Sequence, residues 1–181
     1  MGKKDFDEFI KKQRAKASEE VDIDWDLKRD EWLTYLDQLY KKILTMMKKY
    51  TKSGDVSVEY QQKTINEEWI GEYKAKTMTF KFKGSEITFD PIGTILIGAK
   101  GRVDLKGSTG TVKFVLVDKL SIGLTQKIAV NISGESKAAK KEQKAEKIEW
   151  DWKIATPPPK IEYIELNEES FFDALMEVIN G

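Results

Sequence analysis

The run Val112-Lys113-Phe114-Val115-Leu116-Val117 is apolar on both of its faces except at Lys113. Side chains alternate from face to face along a strand, so apolar residues on both faces need cover on both; the run predicts a strand inside a sheet. Working outward, segments with apolar residues at every second position flank it. Val56, Val58 and Tyr60 form one, Met78, Phe80 and Phe82 a second, Ile87 and Phe89 a third. Ile95 to Ile97 and Val103 to Leu105 follow before the central run, and Leu124, Ile128, Val130 and Ile132 come after it. Ile148, Trp150, Trp152 and Ile154 then alternate with Glu149, Asp151 and Lys153, and Ile161, Tyr163 and Leu166 supply a last, edge strand beyond Pro157, Pro158 and Pro159. Glycines 84, 93, 98, 101, 107, 110, 123 and 134 separate these runs at the spacing of a meander of short antiparallel strands.

Before Gly54 the period is helical. Asp5 to about Ser18 carries a weak stripe of Phe6, Phe9, Ile10 and Ala17. Trp32, Leu36, Leu39, Ile43, Met46 and Tyr50 recur at alternating steps of four and three, with Leu33, Tyr40, Leu44 and Met47 widening the stripe. A stripe that wide needs a sheet or several helices to lie on, which makes the helix a core element of the domain ahead of a partner-binding or dimerising one. At the other end Asn167 reads as an N-cap, Glu168 and Glu169 suit a helix's positive pole, and Phe171, Phe172, Leu175, Met176 and Ile179 form an apolar face.

The resulting fold class is α+β: a curved, mostly antiparallel meander of about seven to nine strands, with N-terminal helices and one C-terminal helix packed on it. The 181 residues are read as a single domain over 1–181, with a helical segment 1–54, the sheet over 55–166 and the C-terminal helix over 167–181. Within the sheet region, 133–147 (five lysines, three glutamates, three alanines) is a solvated loop. Met1 to Lys16 mixes its apolar residues with charges, so neither a signal peptide nor a membrane span is predicted, and the default location is cytoplasmic.

The chain has no histidine and no cysteine. That excludes Ser-His-Asp and Cys-His catalysis, disulfides, and the usual zinc, haem and iron-sulfur ligand sets; no cofactor and no metal site is predicted. Carboxylates are the remaining acid/base kit. Glu67 with Glu68, Glu149 with Asp151, and Glu168 with Glu169 are the close pairs, and all read as solvated or as helix-end charges rather than as catalytic carboxyls. Asp22, Asp24 and Asp26 alternate like the start of a calcium loop, but Leu27, Lys28 and Arg29 follow where a glycine turn is required, and Asp24 or Asp26 reads instead as the N-cap of the long helix. Asp90 before Pro91 reads as a turn pair.

Two groups remain as candidate binding residues. Trp69, Phe80, Trp150 and Trp152 are either core or the lining of an apolar pocket on the concave face. Lys100, Arg102 and Lys106, in and after the glycine-containing segment Gly98 to Arg102, could meet an anion, although no helix follows to reinforce the site. Gly107-Ser108-Thr109-Gly110 reads as a tight turn. Basic and acidic residues balance at 31 each, which removes the long-range field a nucleic-acid binder uses. The lysines of the loop, Lys137, Lys140, Lys141, Lys144 and Lys147, are interleaved with Glu135, Glu142 and Glu146.

The expectation for function is a non-enzymatic protein-binding or adaptor protein. Its contacts would be the exposed side of the long helix, the edge strand after Pro159 and the acidic C-terminal helix. The alternative is a carrier of a small apolar ligand or lipid using the concave face, which requires that face to be open rather than filled by Trp32, Leu36 and Leu39. Nucleic-acid binding ranks third.

Overall fold

The computed structural model describes residues 6–11, 23–94, 98–123 and 147–180. Helix α1 covers residues 6–11, α2 spans Trp25–Met46 and α3 Lys48–Ser53. Seven strands follow: β1 (Ser57–Glu67), β2 (Gly71–Phe82), β3 (Ser85–Gly93), β4 (Gly101–Lys106), β5 (Thr111–Asp118), β6 (Trp150–Ala155) and β7 (Tyr163–Glu165), before helix α4 (Glu168–Asn180). They form one open sheet in the order β1-β2-β3-β4-β5-β6-β7, every neighbour antiparallel. This is the expected α+β meander, at the low end of the expected strand number. The predicted strands at Ile95 to Ile97 and Leu124 to Ile132, residues 12–18 of the first helix, and all but Lys147 of the 133–147 loop lie outside the described residues.

Helix α2 starts where Asp24 accepts a hydrogen bond from the Leu27 N–H (2.9 Å), the capping role expected of this aspartate. Trp32, Leu36, Leu39, Tyr40 and Ile43 are buried along its stripe. Past Ile43 the stripe departs from the expected phase: α2 ends at Met46, and Met47, between the two helices, is buried in place of Met46. Helix α4 opens with a reciprocal cap, Asn167 Oδ1 accepting from Ser170 N–H and Ser170 Oγ accepting from Asn167 N–H, both at 3.0 Å. Its buried residues are Phe171, Ala174, Leu175 and Val178; Met176 faces solvent, and Phe172 packs edge-on against Tyr50 of α3. The inward face therefore follows the i, i+3, i+4, i+7 set from Phe171, not the larger residues on either side of it.

Both α2 and α4 lie in one core with the sheet. Phe89 sits centrally, its ring 5.9 Å from Phe80, 5.7 Å from Phe114 and 6.5 Å from Phe171. The opposite face of the middle of the sheet is covered too, as the both-faces pattern of Val112 to Val117 demands. Val112, Phe114 and Leu116 join the main core, while Val115 and Val117 form a second small cluster with Ala155, packed under Ala99, Ile161 and Tyr163. Lys153, only 3% exposed, donates from Nζ to the carbonyls of Lys119 (2.7 Å) and Ser121 (2.9 Å), so its charge stays buried while satisfying a turn that would otherwise lack donors. Gly107 to Gly110 is indeed a turn, and it caps α4: Thr109 N–H donates to the Val178 carbonyl (3.1 Å) and Thr109 Oγ1 to that of Glu177 (2.8 Å).

Candidate functional site

The hairpin β1–β2 is longer than its apolar alternation suggests. The expected strands began at Val56 and Met78, yet pairing runs without a break from Ser57 opposite Lys81 to Glu67 opposite Gly71. Only the lower half of β2 belongs to the main sheet, because its pairing with β3 ends at Met78 opposite Phe89. Beyond that pair the sheet forks: one branch is the β1–β2 arm, the other is the end of β3, still paired with β4 as far as Gly93.

Polar side chains bridge this fork. Tyr40 Oη, from α2, donates to the Lys76 carbonyl (2.6 Å) and lies 3.4 Å from the Phe89 carbonyl, one on each branch. Lys63 Nζ crosses from β1 to Asp90 Oδ1 (2.5 Å) and the Pro91 carbonyl (3.0 Å), and Lys106 Nζ reaches Asp90 Oδ2 (2.6 Å). Nearer the arm's tip, Glu67 is buried at 7% exposure and accepts from Tyr73 Oη, from Thr94 N–H (3.0 Å) and from Thr94 Oγ1 (2.8 Å). Gly93 lies against it with φ of 139°, and a Cβ there would come within 2.9 Å of the Glu67 carboxyl carbon.

These contacts latch the arm to the body of the sheet. Burial, reinforced by the Glu67 hydrogen bond and charge, pushes the Tyr73 hydroxyl far above its ordinary value, so it serves only as a donor. Burial likewise raises Tyr40, with Asp90 adding to it. Burial would raise the Asp90 carboxyl as well, but hydrogen bonds and charge from Lys106 and Lys63 together outweigh it and hold it below the usual range. A carboxyl that titrates lower in the folded chain contributes stability fully above its unfolded value, about 4, and loses that contribution as pH falls through the folded value. Urea unfolding midpoints measured against pH should therefore show an acid limb that Asp90→Asn flattens. Glu67→Ala leaves the Tyr73 and Thr94 donors without their acceptor and should cost about 2 kcal/mol in urea unfolding, whereas Glu67→Gln, which keeps one acceptor oxygen, should cost less.

The sequence-predicted binding residues do not come together. Phe80 is core, in edge-to-face contact with Phe89. Trp152 is buried beside Trp32 (5.9 Å) with its Nε1 donating to the Tyr35 carbonyl (3.0 Å). Trp150 is half-buried and lines an open groove with Tyr35, Glu149 and Asp151. Trp69, 60% exposed at the tip of the arm, stacks on Trp25 (6.1 Å, interplanar angle 18°). The sheet face that a carrier would need open is filled by Trp32, Leu36 and Leu39.

Nor do the three cations make an anion site, because each has a carboxylate of its own. Lys100 Nζ is 2.7 Å from Glu31 and lies over the rings of Tyr35 (5.3 Å) and Trp150 (5.2 Å). Arg102 forks onto Asp104 (2.6 and 2.7 Å), a hydrogen-bonded pairing that raises its pKa, and Lys106 pairs with Asp90. Of the basic arm only Lys147 is described; Lys137, Lys140, Lys141 and Lys144, with Asp22, lie outside the described residues. Among the described residues no group of three His, Cys, Asp or Glu could hold a metal ion, and no helix is long and apolar enough to cross a membrane.

What stands out instead is a sheet edge. At the far side, β7 has three residues, and its start is covered: Tyr163 N–H donates to the Ile122 carbonyl (3.1 Å), and Glu162 just before it bridges Gly123. At the near side β1 runs for eleven residues and, among the described residues, pairs only with β2. Ser57, Glu59, Tyr60, Gln61, Gln62, Thr64 and Asn66 are all exposed. Sequence reasoning passed over this edge because Gln61 to Glu67 has no apolar alternation. The inward-turned residues of this stretch, Lys63, Ile65 and Glu67, include one apolar side chain, so no period-two signal in the sequence marks the strand's continuation. Compared with protein-family models, with curated proteins and with solved structures, the chain gives no match.

Proposed function

We propose that this is a non-enzymatic protein-binding module that works by strand addition, an extended segment of a partner pairing along β1. The observation that carries the reading is the long edge that no described residue pairs with, whose backbone donors and acceptors form a template for a further strand. Natural sheets blunt such edges with prolines, bulges or projecting lysines. β1 has no proline, its register with β2 is continuous, and its one lysine is drawn back to Asp90. The fork latch supports the same reading, since Tyr40, Lys63 and Glu67 hold the arm on the body and so keep the edge straight and preorganised, which lowers the ordering cost of binding. The pairing of the predicted anion-binding cations with carboxylates and the filled concave face leave the nucleic-acid and carrier alternatives without a comparable feature.

A photo-reactive residue placed at Gln61, and separately at exposed Met176 on α4, tests this in extracts of the native cell. The expected result is a discrete protein adduct from position 61 and none from 176. Adducts from 176 alone would move the contact to the C-terminal helix, and adducts from neither would end the protein-binding reading.

A further inference from the structure

The occupant of the β1 edge can be taken further on the assumption that β1 is a protein-binding edge. We infer that it is β1 of a second copy of this chain, paired antiparallel about a two-fold axis at Gln61. A two-fold axis perpendicular to a sheet maps each face onto itself, so in such a pairing one residue must lie opposite its own copy. Centring on Glu59 or Lys63 sets like charges against each other. Centring on Tyr60 puts Glu59 opposite Gln61, and centring on Gln62 puts Glu59 opposite Ile65, so neither register pairs the charges. Centring on Gln61 sets Glu59 opposite Lys63 of the second copy, twice by symmetry, with Tyr60 opposite Gln62 and Val58 opposite Thr64.

The charges already in place extend this match. Glu59 lies 2.7 Å from Lys81 on β2, and Lys63 lies 2.5 Å from Asp90, which also holds Lys106. By strand alternation Glu59, Lys63, Lys81, Asp90 and Lys106 share the face of the sheet opposite to Met78, Phe80 and Phe89. Reading across the seam, the order becomes Lys81, Glu59, then Lys63, Asp90 and Lys106 of the second copy. Along this row the signs alternate. The paired strands run from Ser57 to Ile65 in each copy, making one continuous sheet across two chains.

The test uses the full chain. Sedimentation equilibrium over a wide concentration range should show a reversible rise from 20.8 kDa toward twice that mass. Glu59→Lys replaces two cross-seam attractions with two repulsions and should raise the dimer Kd about tenfold or more. Because the chain lacks cysteine, Gln61→Cys should give a disulfide-linked dimer on mild oxidation, while Tyr60→Cys and Gln62→Cys, which face other residues, should not. A strict monomer, or equal cross-linking at 60, 61 and 62, overturns the inference. A monomer whose position 61 photo-adduct is a different protein overturns self-pairing while leaving the strand-addition reading intact; a monomer with no adduct removes both.

Discussion

Trp32→Ala is expected to lower the unfolding free energy by about 3–5 kcal/mol, measured as a shift in urea midpoint at constant slope. Trp32 is fully buried on α2, beside Trp152 and against the start of β4. That approach depends on Gly101, the first residue of β4: a Cβ there would lie 2.1 Å from Trp32 Cζ3 and 2.4 Å from Cε3. Gly101→Ala should therefore also destabilise, because a full indole cannot move out of a packed core. The two substitutions relieve each other. Space emptied by Trp32→Ala accepts the added methyl group, so the double variant should be less destabilised than the sum of the singles. Strict additivity would mean that the glycine is tolerated for its backbone rather than for the ring above it.

The pair also shows how far the fold could be read from the chain. Trp32 was legible as core because it begins a helical stripe, and the β5 run was legible because an apolar residue on either face must be covered. Gly101 was legible only as a turn glycine, since nothing local reveals that the ring of Trp32, 69 residues earlier, will lie on it. The β1–β2 arm was half-legible for a similar reason. Val58 and Phe80 face the helices and alternate, whereas in the arm the buried set is Ile65, Glu67, Tyr73 and Ala75, a mixture of apolar and polar side chains among exposed Gln61, Gln62, Thr64, Asn66, Glu72, Lys74 and Lys76 that leaves no apolar period to read. Glu67 looked solvated beside Glu68 because its acceptors' partners, Tyr73 and Thr94, are recruited by the hairpin and by the end of β3. The candidate cations failed in the opposite sense: Lys100 and Lys106 look free along the chain and acquire their carboxylates through contact with α2 and through the strand register, while Arg102 takes Asp104, its same-face neighbour two residues along the same strand.

Gly107→Ala is the second large effect, about 3 kcal/mol in the same measurement. The glycine begins the β4–β5 turn, and a Cβ on it would lie 2.2 Å from the Val178 carbonyl oxygen and 2.8 Å from its carbon. The obstacle is helix backbone, which cannot rotate away as a side chain can, so the turn and the end of α4 must separate. Separation removes the Thr109 N–H and Oγ1 hydrogen bonds to Val178 and Glu177 and the Ser108 Oγ bond to Ile179 (3.3 Å), each worth about 1 kcal/mol when well formed. It also loosens Val178 and, one and two turns back, Leu175 and Phe171, whose ring stacks on Phe89. The expected signature is local as well as global: amide exchange in α4 should accelerate more than in β1 and β2, which sit at the other side of the sheet. Thr109→Val, which keeps the N–H and removes only the hydroxyl donor, should cost about 1 kcal/mol and leave the helix docked. If Gly107→Ala instead cost no more than Thr109→Val, close approach of the turn would not be what seats α4, and Phe171 packing alone would have to hold it.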